Sequence, residues 1–315
     1  MTAASGVGRS SFTTTYRAAF NVVRVGADVV VLTAALAISL GWWPLHLLLL
    51  VIGFGVGAFG TLIGAGGGFV LVPILLVIYP TETPTQLTAV SLATVFANAA
   101  SGSVAYLRAR RVDLRSAALF SLATLPGAVL GALSVQALSR GAFNVIFGIA
   151  LTVVSLVLLS NPDRRLQLEG IFPATERREM VDSEGHAYRY KYNLPLALAA
   201  SAVVGFLSSL LGIGGGIIHV PFMSQVLGFP THIATATSHA VLAVMAGAGS
   251  ATHLVQGAFN GIVYRTLFLA AGVVLGAQVG ALLSGRVRAT WLLRLLALAL
   301  LVVGLRLLVT PLVHL

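Results

Sequence analysis

Two copies of one short segment carry the chemistry that can be read from this chain. Gly64-Ala65-Gly66-Gly67-Gly68-Phe69-Val70-Leu71-Val72-Pro73 recurs as Gly212-Ile213-Gly214-Gly215-Gly216-Ile217-Ile218-His219-Val220-Pro221, 148 positions further on. Four glycines, a valine and the proline keep their places. Glycine permits the positive φ angles of a sharp reversal and lets a ligand come close to the main chain. A helix that starts just after such a cluster, near Gly68 or Gly216, presents unpaired N–H groups and the positive end of its dipole. Groups of that kind hold anions. Gly66, Gly67, Gly68, Gly214, Gly215 and Gly216 are therefore the expected substrate-binding backbone. Pro73 and Pro221 are expected to bend or loosen each short helix.

The segments that follow add polar side chains. Thr88, Ser91, Thr94, Asn98 and Ser101 recur every three or four residues, which places them on one stripe of a helix. Thr235, Ser238 and His239 take the equivalent place after the second cluster. Such hydroxyl and amide groups either complete the shell of an anion or bond a neighbouring helix. The shared position of Ser91 and Ser238 favours the site, and Asn98, His239 and the mid-span Gln278 join them as binding candidates. Imidazole titrates near neutral pH, so His239 and His219 are candidate proton carriers. The alternative for His219 is a neutral ring satisfied by a carbonyl. His253 reads as interfacial, and Arg265 either draws anions to an outer vestibule or snorkels to headgroups.

The elements that must position these groups are membrane spans. Apolar residues make up 57% of the chain and charged ones 9%, with a mean hydropathy of +0.97. Several apolar stretches are long enough to cross ~30 Å of hydrocarbon, so the chain reads as a polytopic membrane protein. It has no cysteine, which excludes disulfide and thiol chemistry. The net charge of +10 reflects membrane orientation rather than nucleic-acid binding, because the arginines lie between apolar stretches.

Four regions follow. Residues 1–44 hold a polar N-terminal segment and an extra apolar helix at about 22–40. That stretch is either a secretory signal, with Ala35-Leu36-Ala37 as its cleavage site, or an uncleaved helix, which Asp28 and the long leader favour. Residues 45–160 form a first transmembrane repeat: an apolar stretch at 45–63, the glycine cluster, a short run at 69–79, and spans near 87–106, 116–136 and 142–160. Residues 161–193 hold six of the nine acidic side chains and form a cytoplasmic connector with a little structure of its own. Residues 194–315 repeat the order, with spans near 233–255, 262–284 and 290–310. The match extends to Thr88-Ala89-Val90-Ser91 against Thr235-Ala236-Thr237-Ser238. The glycine pairs Gly53/Gly57 and Gly127/Gly131 and the set Gly272/Gly276/Gly280 suit close helix packing. Three consecutive glycines do not, since they spread around a helix.

The predicted fold is thus all-α: two inverted-topology repeats, each a glycine-tipped helical hairpin followed by three transmembrane helices, plus one N-terminal helix. With the N-terminus in the cytoplasm and each short segment dipping in and returning, all but Arg140, Arg265 and Arg306 of the 19 basic side chains fall inside. The C-terminus then lies outside. Two tips arriving from opposite sides meet near the midplane, where each behaves like roughly +0.5 charge. No Lys or Arg falls in the middle of a predicted span, so backbone donors must hold any anion that crosses.

The paired Gly-x-Gly-Gly-Gly-x-x-x-x-Pro segments, the connector between the halves and the overall length resemble the TauE/SafE (TSUP) family of sulfite and organosulfonate permeases. The resemblance covers about 45–310 and puts the family's proline at Pro73 and Pro221. It implies a bacterial inner-membrane protein that exports a small sulfur-containing anion, with the lipid bilayer as its surroundings and a homodimer open. A secondary transporter with a midplane site exposed to each side in turn is the leading expectation, and a channel for the same anion its nearest rival. A membrane-embedded enzyme lacks paired carboxylates, a His-Glu-x-x-His motif or a nucleophile with a base, so no catalytic residue is expected. No phosphate-binding Gly-x-x-x-x-Gly-Lys-Ser/Thr loop occurs. No cofactor, metal or nucleic acid is expected.

Overall fold

The computed structural model describes residues 42–159, 173–284, 297–298 and 300–309, with side chains from Leu45 onward. The stretch at 22–40, together with its cleavage alternative, lies outside the described residues, as do Arg286, Arg288 and Arg294. The chain divides into two compact units, Met1–Leu48 and Leu49–Leu315. The glycine clusters and the helices around them belong to the second.

Helix α1 (Trp42–Ile63) runs into the first cluster, and α2 (Gly68–Ile78) leaves it. The reversal needs left-handed backbone at Gly64, Gly66 and Gly67, with φ of 77°, 75° and 81°. Helix α3 (Pro84–Arg108) begins at a capping box: Thr83 accepts the Gln86 N–H and the Gln86 side chain reaches back, with Pro84 in the first turn. Helix α4 (Leu114–Ser134) starts where Asp113 caps the Ser116 N–H, and α5 (Arg140–Leu159) follows. Strands β1 (Glu176–Val181) and β2 (Ala187–Tyr192) then pair antiparallel, with Glu176 opposite Tyr192 and Val181 opposite Ala187. Helix α6 (Leu194–Leu211) starts at an Asn193 cap and stops at Gly212, φ 70°.

Helix α7 (Gly216–Pro221) widens into a π turn, Phe222–Val226, closed by Leu227 N–H to Phe222 O at 3.1 Å. The two prolines therefore act differently. Helix α2 continues past Pro73, whereas α7 gives way to the wider winding at Pro221 and swings Met223 and Leu227 into a buried aromatic cluster. Helices α8 (Thr231–Val255), α9 (Val263–Leu283) and α10 (Leu300–Val309) complete the described chain.

Among the described residues, seven helices are long and apolar enough to cross a membrane, and they lie on the apolar stretches read from the sequence. The chain is a multi-pass helical membrane protein with one small hairpin of strands. Large apolar side chains such as Leu122, Leu130, Val203, Leu267 and Leu282 stand exposed on its outer face, where lipid covers them. Helices α3 and α8 are the central pair, each with 67% of its most apolar window buried, against half or less for the other five.

The small-residue stripes bring helices into backbone contact. A β-carbon at Gly53 would lie 2.5 Å from the Leu269 carbonyl, and one at Gly57 2.5 Å from that of Val273, so α1 lies directly on α9. Gly127 against Ala202, Gly131 against Phe206 and Gly205 against Thr124 join α4 to α6 in the same way. Each hairpin's leading helix is thus packed on a helix from the other half of the chain. Gly148 and Gly304 face one another across α5 and α10.

Candidate functional site

The two glycine elbows touch. A β-carbon at Gly68 would lie 2.6 Å from the Gly212 carbonyl oxygen, and one at Gly216 2.5 Å from the Gly64 carbonyl oxygen. Every residue of both clusters is buried. Their neighbours recur with the halves exchanged: Gly64 lies against Thr235 and Gly212 against Thr88. Val95 of α3 packs on Gly66, Gly68 and Gly214, while Leu242, 147 positions later on α8, packs on Gly66. Val95 thus bridges the two elbows, and Leu242 covers the first. The far ends of the hairpins diverge. Tyr79, just past α2, lies under the Arg265 guanidinium, 4.3 Å from its ring centroid, and Phe229, past α7, packs on Tyr190 and Tyr192 of the strands. These contacts lie at opposite ends of α4, a helix of 21 residues.

Each elbow leaves some main-chain amides outside the helical hydrogen-bond ladder. The first amides bonded inside α2 are those of Val70 and Leu71, both to Gly67 O, which leaves Gly67, Gly68 and Phe69 as the free N–H groups of a helix start. In the second elbow Ile218 and His219 bond to Gly215 O, and Gly216 to Gly214 O at 2.7 Å. The carbonyls are a different matter. Ser91 Oγ donates to Gly212 O at 2.5 Å, and Asn98 Nδ2 donates to Gly66 O at 3.1 Å. Two carbonyls of the elbows are thus already engaged by side chains of α3.

The polar stripe on α3 splits by target. Ser91 and Asn98 reach the elbows; Thr94 bonds back to Val90 O, and Thr88 to Pro84 O, on their own helix. Ser101 donates to Val274 O, and Gln278 gives its amide to Ser101 at 2.8 and 2.9 Å. Gln278 therefore joins α9 to α3. On α8, Ser238 Oγ is buried with no partner among the described residues. His239 is also buried; its Nε2 lies 3.3 Å from Thr61 Oγ1, and Tyr106 meets its ring edge-on at 5.6 Å. His219 sits beneath Phe120 with Nε2 3.2 Å from Ser201 Oγ. His253 bonds Gln256 at 3.1 Å near the end of α8. Sequence reading missed Thr61, whose position plus 148 is Ser209, a buried hydroxyl with no partner among the described residues. Extending the repeat three residues upstream of the glycines would have shown the pair.

The charged side chains gather at the two ends. Residues 45–107 contain one, Glu82, and residues 192–264 none. Arg265 is paired with Glu82 at 2.5 Å, and Arg140 donates to the Glu82 carbonyl. At the other end Arg178 makes two hydrogen bonds to Asp113, of 2.7 and 3.0 Å, and Tyr190 and Ser116 each add one of 2.7 Å. Burial works to raise the Asp113 pKa, but the bonds from Arg178, Tyr190 and Ser116 outweigh it and hold the carboxyl at about 2. The Tyr190 phenol is pushed up, first by burial and then by its bond to Asp113. The strands are thereby fixed to the start of α4.

Comparison with known proteins agrees with this architecture. The family described as "Sulfite exporter TauE/SafE" matches residues 49–307. A relative named "Probable membrane transporter protein YunE", from Bacillus subtilis, is 30% identical over 266 residues, which cover 82% of this chain and 95% of that protein. A "Probable membrane transporter protein" of Methanocaldococcus jannaschii is 24% identical over 72% of this chain and 79% of its own. No solved structure matches.

Proposed function

The chain belongs to the TauE/SafE family of membrane transporters, and from that premise we propose that it carries a small sulfur-containing anion, sulfite or an organosulfonate, by alternating access to a site where the two elbows meet. The observation that carries this reading is the mutual contact of Gly68 with Gly212 and of Gly216 with Gly64 in a region without Lys or Arg. An unsolvated anion in low dielectric costs tens of kcal/mol. Converging amides replace its water at no cost of reorganisation, and the two helix starts together offset about one negative charge. Ser238 and His239 are buried and short of partners among the described residues, and Ser208 Oγ, likewise unpartnered, lies directly against Gly215.

In this mechanism Val95 and Leu242 close the site from both faces. One hairpin opens toward the Tyr79–Arg265 end and the other toward the strands, so a small displacement of either uncovers the site to one side only. The strand end is the cytoplasmic one, because the chain's arginines gather there. Net movement across the bacterial inner membrane is outward when the anion accumulates in the cytoplasm. Binding and release need no covalent step and no catalytic side chain.

Proteoliposomes containing the purified protein test this. Labelled sulfite and labelled isethionate should enter saturably, and unlabelled anion on the far side should accelerate the flux. A flux that grows linearly with concentration would favour a pore, and chemical conversion of either probe would favour an enzyme.

A further inference from the structure

Two buried histidines have their tautomers dictated by their neighbours. Asn98 must turn its NH2 toward Gly66 O, which can only accept, so its Oδ1 faces Thr61. Thr61 has one hydroxyl proton and gives it to Asn98 Oδ1 at 3.0 Å. The contact between Thr61 Oγ1 and His239 must then be donated by the ring, which fixes the proton on Nε2. What remains is His239 Nδ1: a bare lone pair, in a side chain with 0% exposure, with no partner among the described residues. The same reasoning applies to His219, since Ser201 spends its proton on Ala197 O at 2.7 Å.

Of these two imidazoles, only that of His239 is linked to an elbow through side-chain hydrogen bonds. The path runs from its Nε2 through Thr61 and Asn98 to Gly66 O, in three contacts of 3.3, 3.0 and 3.1 Å. His219 is instead enclosed by Phe120 and the aromatic cluster at the strand end. Room for the His239 ring is built in: a β-carbon at Gly102 would lie 2.6 Å from Nε2. The groups facing the ring are Thr61 of α1, the main-chain carbonyls of Gly64 and Asn98, which can only accept, and Gly102 and Tyr106 of α3; of these only Tyr106 titrates, and its hydroxyl is bonded to Thr61 O. No carboxylate or cationic side chain is among them.

We propose that His239 is the proton carrier of the transport cycle, taking one proton on Nδ1 for each anion that occupies the elbows. This rests on the transport reading above. Water admitted when the site opens to one face supplies the proton. It adds to the Nδ1 lone pair while the Nε2–H bond to Thr61 stays intact, and it leaves to water at the other face. A monovalent anion and one proton then cross together with no net charge moved across the membrane.

Isethionate is the suitable probe, because a sulfonate is a permanent anion and any proton moved is moved by the protein. In proteoliposomes with a trapped pH dye, wild-type protein should move protons with labelled isethionate in a fixed ratio. His239→Gln should lower the protons moved per isethionate at least about tenfold, while His232→Gln, on the exposed start of α8, should keep the wild-type ratio. Nitrogen NMR of histidine-labelled protein gives a readout that needs no transport: His239 should hold its proton on Nε2 at neutral pH and gain a second in acid with isethionate bound. Wild-type isethionate flux without protons would overturn the inference and leave the transport reading standing. So would an unchanged ratio in His239→Gln, or a ring protonated on Nδ1 at neutral pH. Flux of neither isethionate nor sulfite overturns the transport reading and this inference with it.

Discussion

Ser91 Oγ donates a 2.5 Å hydrogen bond to the carbonyl of Gly212, 121 residues along the chain. A helix of the first half thereby holds the elbow of the second. Ser91→Ala would leave that buried carbonyl unpaired, at a cost of about 1–3 kcal/mol. The expected result is a lower unfolding temperature in detergent and a several-fold loss of sulfite uptake. Undiminished uptake would show that this bond does not set the site.

Gly68→Ala and Gly216→Ala test the meeting of the elbows more directly. Both glycines have ordinary helical φ, so the backbone tolerates alanine, but each new methyl group meets main chain of the opposite elbow, at 2.6 and 2.5 Å. Main chain moves less readily than a side chain, and overpacking of this kind costs ~1–3 kcal/mol. Each variant should remain in membranes and lose most of its transport. Wild-type rates in both would sink the elbow site.

Val95→Ala and Leu242→Ala should do the reverse. They remove the side chains that pack on the elbow glycines, at a cost of roughly 2–4 kcal/mol each. The double variant should admit sulfonates larger than the preferred one, read as a shift in competition against labelled isethionate. An unchanged size preference would place the selectivity elsewhere.

Asp113 gives a pH prediction for the strand end. Its folded pKa of about 2 lies below the ordinary 3.8, so its contribution to stability is full above about pH 4 and is lost as pH falls toward 2. The shift corresponds to on the order of 2 kcal/mol. Asp113→Asn should lower thermal stability at pH 7 and flatten its dependence between pH 4 and 2. A parallel pH curve for the variant would show that the carboxylate is not what fastens the strands.

The sequence made the spans and the two elbows legible because apolar length and glycine clusters leave direct traces. The stripes at Gly53/Gly57, Gly127/Gly131 and Gly272/Gly276/Gly280 likewise announce packing, and each is found in backbone contact. Gln278 was less readable: a polar residue in mid-span bonds a neighbouring helix or a ligand, and only coordinates put Ser101 against it. Val95 and Leu242 carried no signal, since an apolar side chain that plugs a site looks like any other in a hydrophobic helix. The seal between Asp113, Arg178 and Tyr190 joins residues 65 and 77 positions apart and depends on how the strands fold back. The alternation Tyr188-Arg189-Tyr190-Lys191-Tyr192 was its one local clue.

The exchange of leading helices means that neither half has an interior of its own. Gly205 needs Thr124, and Gly53 needs Leu269, so each arm is clasped by the opposite partner. A gene severed inside the connector would yield two fragments that are orphans apart and a working molecule when made together, as with two clasped hands.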